Sequence, residues 1–260
     1  MIISILNQKG GVGKTTTAIN LGAYLAKKGK KVILIDLDPQ SNLTSGLGVR
    51  VLSEQSSDEN GYLSIYNVLI DGNSLNEVFI STSIPNLYLV PSNISLAGAE
   101  IELVNKLSRE QILKNAISKF KEPYDFIIID NPPSLGILTI NSLVASDKVI
   151  VPLQCEYYAL EGVSQLIHTI DMVKDSLNPE LELMGVLLTM YDSRVKISES
   201  VANEVIEYFK EKTFKSVIPR NVKLSEAPSF GKVIFEYDSQ SSGSDAYDKF
   251  SDEILKQYGR

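Results

Sequence analysis

The chain has very little cysteine or histidine: Cys155 and His168 are the only ones in 260 residues. A lone thiol excludes an internal disulfide framework and suits a reducing compartment, which points to the cytoplasm. A lone imidazole excludes a multi-histidine metal site. Long apolar runs are missing too, and none approaches the roughly 18 residues of a membrane-spanning helix. The start MIISILNQKGG has no basic segment ahead of an apolar stretch, so it does not read as a secretory signal. There are no internal repeats, no low-complexity tracts and no linker that would split the chain. One strand precedes the first motif, leaving no room for a separate N-terminal nucleic-acid-binding domain, and the expectation is a single domain over 1–260. Positive charge is scarce: 25 Lys+Arg against 32 Asp+Glu leave a formal net charge of -7. Over the whole chain that balance argues against nucleic acid as a partner.

What the chain does contain is a series of short β-branched runs. Residues 2–6 (IISIL), 31–36 (KVILID), 126–130 (FIIID), 149–152 (VIVP) and 185–189 (GVLLT) are continuous rather than alternating, as strands covered on both faces are. Helical patterns fall between them, near 97–107, 109–119, 137–145, 159–176 and 198–211. In the first helix Ala18, Ile19, Gly22, Leu25 and Ala26 form one stripe that ends near Gly29. Residues 53–61 (SEQSSDENG) read as a polar loop, and 240–244 (QSSGS) lead into a last helix. The alternation predicts an α/β fold: a doubly wound, mostly parallel sheet with helices on both faces.

The first strand breaks into Asn7-Gln8-Lys9-Gly10-Gly11-Val12-Gly13-Lys14-Thr15-Thr16 and runs straight into a helix. Backbone amides of such a turn converge on an anion at a helix N-terminus, where the helix dipole also favours negative charge. Lys14 supplies a point charge for the outer phosphates of a nucleotide, and the Thr15 hydroxyl is placed to ligate Mg²⁺. The general pattern G-x-x-x-x-G-K-[ST] asks for glycine at position 8, where this chain has Gln8 followed by a second lysine, Lys9. Three aspartates sit where strands end: Asp36 and Asp38 in IDLDPQ, and Asp130 in IDNPP. A carboxylate after an apolar strand is the usual holder of a nucleotide-bound Mg²⁺ at the carboxyl edge of such a sheet.

Lys9–Thr16, Asp36-x-Asp38-Pro39-Gln40 and Ile129-Asp130-x-Pro132-Pro133-Ser134 resemble the deviant Walker motifs of the ParA/MinD family of P-loop ATPases. Residues 154–162 (QCEYYALEG) and 218–229 (IPRNVKLSEAPS) are similar to its chromosomal ParA branch. The resemblance covers nearly the whole chain, with Asn131 as a departure where many relatives carry Cys or Thr. It implies an ATP hydrolase using ATP and Mg²⁺, in which two protomers sandwich two nucleotides and Lys9 reaches across to the neighbour's. A lysine donated in trans offsets the repulsion between two nucleotides and can stabilise charge in phosphoryl transfer, as an arginine finger does. Asp38 would position the attacking water, Thr15 would bind Mg²⁺ directly and Asp130 through water, and Asp36 would support the loop. Pro219 and Asn221 lie where relatives contact adenine and ribose. Hydrolysis would be slow until a ParB-type partner stimulates it.

Between 212 and 232 the charges are Lys212, Lys215, Arg220, Lys223 and Lys232 against Glu226, five minus one, or +4 within a chain of -7. Arg194 and Lys196, in a loop-like stretch after the 185–189 run, extend the group. The resemblance makes this the contact for double-stranded DNA, bound through phosphates without sequence preference and only by the ATP dimer, which would place the protein on the nucleoid. Dimerisation doubles the phosphate contacts on one face, and affinity rises steeply with their number. Gln240 stands where some relatives have a basic residue. Cys155, His168 and the tyrosines, including Tyr157 and Tyr158, read as packing residues. A MinD-like membrane role needs a C-terminal amphipathic helix with a basic face. Here the stripe Tyr247, Phe250, Ile254, Tyr258 is flanked by Asp245, Asp248, Asp252 and Glu253 against Lys249 and Lys256, so this helix is expected to pack on its own sheet. One cysteine excludes the nitrogenase iron-protein type, and Lys9 with the 218–229 segment speaks against the amide-ligase relatives. Positioning of plasmids, chemoreceptor arrays or microcompartments stays open as another cargo.

Overall fold

In the computed structural model, which describes residues 1–49, 63–156 and 159–259 and only the backbone of 159–161, the apolar runs assemble into one eight-stranded sheet. Its strands are β1 (Ile2–Ile5), β2 (Val32–Asp36), β3 (Ile80–Ser81), β4 (Leu87–Val90), β5 (Phe126–Asp130), β6 (Lys148–Gln154), β7 (Glu182–Tyr191) and β8 (Thr213–Pro219). They lie in the order β3-β4-β2-β5-β1-β6-β7-β8, and every pairing is parallel except the short β3–β4 edge.

The helices are α1 (Lys14–Lys27), α2 (Asn42–Gly46), α3 (Leu75–Val78), α4 (Leu96–Glu102), α5 (Ile112–Ser118), α6 (Ile137–Ala145), α7 (Ala159–Ser176), α8 (Lys196–Phe209), α9 (Val222–Glu226), α10 (Ile234–Tyr237) and α11 (Ser242–Tyr258). Side chains alternate across a strand, so each continuous run serves two cores. Val32 and Leu34 join one cluster with α1 and α11, whereas Ile33 and Ile35 join another with α4, α5 and α6. A third cluster packs β6 and β7 against α7 and α8. At Gly22 a Cβ would come within 2.7 Å of Leu34 Cδ2, so glycine lets α1 lie close on β2. The last helix packs as its stripe predicts: Tyr247, Phe250 and Ile254 are buried, and Phe250 meets Phe214 of β8 edge-on at 5.0 Å.

Several sequence boundaries shift. The 97–107 pattern becomes α4 and a 3₁₀ turn at Leu103–Asn105, and the 109–119 pattern opens with a 3₁₀ turn at Arg109–Gln111 before α5. Ser108, between them, has a left-handed backbone (φ 50) that no continuous helix accepts. Lys196 is not in a loop but opens α8. The basic 212–232 stretch is not one patch, because β8 carries Lys215 toward the end of the sheet opposite Arg220 and Lys223. At about 3.3 Å per residue the strand separates those ends by roughly 20 Å. The 53–61 stretch, Tyr157 and Tyr158 lie outside the described residues.

Candidate nucleotide site

Register fixes the site. Ile5 pairs with Asp130, and Asp130 pairs with Asp36, so the carboxyl ends of β1, β5 and β2 lie side by side at one level. The loop after β1 therefore starts beside both carboxylates. In that loop Gly11 (φ 76) and Gly13 (φ 91) adopt left-handed backbone, which glycine enters without strain. Buried Val12 anchors it, and its carbonyl accepts a hydrogen bond from Thr189 Oγ1 at 2.8 Å. Asn7 shapes the entry: its Nδ2 donates to the Pro152 carbonyl (2.7 Å), and its Oδ1 accepts the Lys9 amide (2.9 Å). α1 begins with neither a side-chain cap nor an acidic residue in its first turn, which leaves its leading amides for an anion.

A cavity of about 260 Å³ opens over this loop, lined by Gly10, Gly11, Gly13, Lys14, Thr15 and Thr16 on one side. Asp38, Gln40, Asn42, Pro133 and Met190 close the other. Lys14 is buried and donates through Nζ to the Lys9 carbonyl at 3.2 Å. Burial pulls its pKa below the ordinary lysine value, while the charges of Asp130 and Asp38 oppose that fall. Among the described residues no carboxylate pairs with this ammonium, and phosphate oxygens would supply the anionic partner.

The three aspartates differ in their satisfaction. Asp36 is fully buried and accepts three hydrogen bonds, from Thr44 N (2.9 Å), Thr44 Oγ1 (2.6 Å) and Asp38 N (3.2 Å). Burial still pushes its carboxyl up to about 6. It braces the loop that carries Asp38. Asp38 Oδ1 accepts the Gln40 amide (2.9 Å), and its carbonyl accepts Ser92 Oγ (2.8 Å), so its side chain is held at the cavity wall. Asp130 is also fully buried, yet among the described residues neither carboxyl oxygen has a partner in hydrogen-bond geometry. Burial first, and then the charge of Asp36, raises its pKa well above the usual carboxylate value, while the Thr15 hydroxyl and Lys14 favour ionisation. A buried carboxyl with no donor in full hydrogen-bond geometry among the described residues, and with the Thr15 hydroxyl and Lys14 as favourable neighbours, fits the hydration shell of a divalent cation.

A second cavity of about 280 Å³ adjoins the first and shares Gly13, Thr16 and Met190 with it. Pro219, Asn221, Ile218 and Tyr247 line it. Asn221 caps α9 by accepting the Lys223 amide (2.8 Å) and donates to Ser242 Oγ (2.8 Å), which fixes its carboxamide at the rim. Met190 carries a left-handed backbone (φ 51), a cost tolerated where both cavities meet.

Of the other predicted cations Arg220 borders the second cavity, beside Pro219 and Asn221, while Lys9, Arg194 and Lys223 are each held in an ion pair. Lys9 Nζ, half exposed, contacts Glu156 Oε2 at 2.8 Å. Arg194 makes a two-pronged contact with Asp192, through Nε (2.9 Å) and Nη2 (2.7 Å), which holds Asp192 down at about 2. Lys223 meets Glu226 at 3.1 Å. Arg220 and Lys232 are exposed. Cys155 is buried and its thiol is pushed up to about 11, and His168 lies exposed on α7, so neither belongs to the site. Sequence reasoning missed Thr44, Ser92, Thr189 and Met190. None of them falls in a local motif: Thr189 and Met190 arrive on β7, and Thr44 and Ser92 are tied in by hydrogen bonds to Asp36 and Asp38.

A family profile described as an AAA domain matches residues 1–183. The sporulation initiation inhibitor protein Soj of Bacillus subtilis is 53% identical over 253 residues, covering 97% of each chain. The chromosome partitioning protein ParA of Myxococcus xanthus is 51% identical, covering 98% of this chain and 88% of that one. Among solved structures, cobyrinic acid a,c-diamide synthase from Mycobacterium smegmatis, with a bound ATP analogue and magnesium, is 38% identical. It superposes with a TM-score of 0.83 over all of this chain and 96% of that chain.

Proposed function

This chain is a member of the ParA/MinD-like family of P-loop ATPases and of its chromosome-partitioning ParA/Soj group, and on that premise we propose that its ATPase cycle is a dimerisation switch that carries DNA. It is an ATP hydrolase that uses ATP with Mg²⁺. The whole chain acts as one ATPase unit. The observation that carries the reading is the buried, unpartnered Asp130 at the level of the phosphate loop, beside a lysine that faces outward.

In this reading Gly10–Thr16 hold the phosphates, Lys14 offsets their charge, and Pro219 with Asn221 border the base and ribose. Thr15 and, through water, Asp130 hold Mg²⁺, which when bound neutralises charge across the phosphates. Asp38 orients the attacking water. Lys9 exchanges Glu156 for the nucleotide of the neighbouring protomer, so ATP joins two chains. Arg194, Arg220, Lys223 and Lys232 then meet DNA phosphates on one face of the dimer, and a ParB-type protein triggers hydrolysis and release. The protein works in the cytoplasm, on the nucleoid. Among the described residues no helix is long and apolar enough to cross a membrane, and the acidic flanks of α11 do not suit an anionic lipid surface.

The solved neighbour's name raises an amidating enzyme as a second reading. Identity of 51–53% to partitioning proteins, against 38% to the synthase, favours the switch. DNA binding measured with ATP, with ADP and without nucleotide, across a salt series, tests it. Binding with ATP alone and a steep salt slope is expected, and equal binding in all three states would sink the switch.

A further inference from the structure

Four of the chain's exposed large apolar side chains fall within fourteen residues, at Ile94, Ile101, Val104 and Leu107. Ile101 is 76% and Leu107 94% exposed, far beyond what isolated surface apolar residues require. Val104 among them lines a groove of about 610 Å³ between the α4 region, which also contributes Glu100, and the start of α6, through Leu135, Ile137 and Ile140. Ile101 and Leu107 flank it three residues to either side of Val104 in the chain.

Each wall leads back within a few residues to one of the site's carboxylates. α4 starts four residues after Ser92, whose hydroxyl holds the Asp38 carbonyl at 2.8 Å and whose amide donates to Thr44 Oγ1 at 3.0 Å. α6 follows Asp130 through residues 131–136, and Pro133 in that connection borders the phosphate cavity. An occupant that parts or closes the two walls therefore acts on Asp38 from one side and on Asp130 from the other. The charge at the rim is one-sided. Arg109 is consumed by Glu110 (3.0 Å) and the Val104 carbonyl (2.8 Å), and Lys106 by the carbonyls of Leu69 (3.1 Å) and Ile70. Glu100 has no cationic partner among the described residues, and Glu102 accepts only from the neutral Tyr66 hydroxyl at 3.1 Å.

We propose that this groove is where the stimulating partner docks, and that it takes an apolar helical segment bearing lysine or arginine. A helix laid into a groove by a few apolar anchors is a common recognition mode, and the rim carboxylates select its charge. The inference rests on the reading above that a partner accelerates hydrolysis.

The test uses the full chain with the full-length ParB-type protein and compares wild type with Leu107→Glu, Ile101→Glu and Glu100→Lys. The side chains of Leu107 and Ile101 make little internal contact, and a milder Leu107→Ser controls for folding. ATP hydrolysis with and without the ParB-type protein is read beside ATP-driven dimerisation by light scattering. The Leu107 and Ile101 variants are expected to keep basal hydrolysis and dimerisation. Their stimulation should fall roughly ten-fold or more, the scale of losing one interface anchor. Glu100→Lys should raise the partner concentration for half-maximal stimulation several-fold, and more so at low salt. Full stimulation of every variant overturns the assignment. Loss of ATP-driven dimerisation also overturns it and makes the groove a contact between copies. A wild type that the ParB-type protein fails to stimulate sinks the functional reading itself.

Discussion

Asp130→Asn should make the nucleotide-free protein more stable while weakening its response to magnesium. Asp130 is fully buried, has no donor in full hydrogen-bond geometry among the described residues, and stands in register with Asp36. A buried polar group without a partner costs about 1–3 kcal/mol, and more when charged. The amide keeps its polarity but removes the charge, so about 1–3 kcal/mol of relief is expected. With about 2–4 °C per kcal/mol for a chain of this size, the Tm of the variant in EDTA at pH 8 should rise by roughly 2–12 °C. In the wild type the folded chain keeps the Asp130 proton at a pH where an unfolded aspartate, near 3.8, has already ionised. Nucleotide-free stability therefore falls as pH rises from 3.8 through the raised folded value, and the variant's advantage grows over the same interval. With nucleotide, the wild type should gain further stability when Mg²⁺ is added, about 3 kcal/mol at a hundred times Kd, and the variant should lose most of that increment. Calorimetry with and without Mg²⁺ reads both effects. A variant that melts below wild type in EDTA would mean that the carboxylate is a satisfied structural group and not a poised one.

Asp36, raised from 3.8 to about 6, should cost the nucleotide-free chain about 3 kcal/mol as pH rises through that window, visible as a falling urea midpoint, and a flat midpoint would contradict it. Lys9→Ala breaks a half-exposed ion pair, so stability should move by under about 1 kcal/mol. The same variant should bind nucleotide but fail to dimerise with ATP in light scattering; lost nucleotide binding would place Lys9 in its own site. Asp38→Ala should accumulate an ATP-bound dimer in size-exclusion chromatography, and a monomer with ATP would remove Asp38 from the hydrolytic step. Gly22→Val forces methyl groups against fully buried Leu34 and should lower stability by about 1–3 kcal/mol in urea unfolding.

The parts of this molecule legible in sequence are those whose signal is local. Runs such as 31–36 and 126–130 declare buried parallel strands because both faces are covered, and the loop from Lys9 to Thr16 declares an anion site because its glycines and lysine are contiguous. β4 escapes notice because Leu87–Val90 is only four residues long between Pro85 and Pro91. β8 escapes because Lys215 and Ser216 interrupt its apolar character. Thr44 from α2, Ser92 from the segment after β4 and Thr189 from β7 reach the site from separate elements, so no spacing could announce them. The groove is hidden for another reason: apolar residues at 101, 104 and 107 read like an inward helix face, whereas the core takes Leu96, Ala99 and Leu103 and leaves those three exposed.

The ion pairs of Arg194 and Lys223 bear on how the protein would answer to salt. A cation that reaches a DNA phosphate by leaving Asp192 or Glu226 strands a carboxylate, which must gather its own counterion. The ion released from DNA is then partly replaced by the one taken up on the protein. The salt slope should therefore fall short of the number of phosphates contacted, and the shortfall counts the pairs that opened.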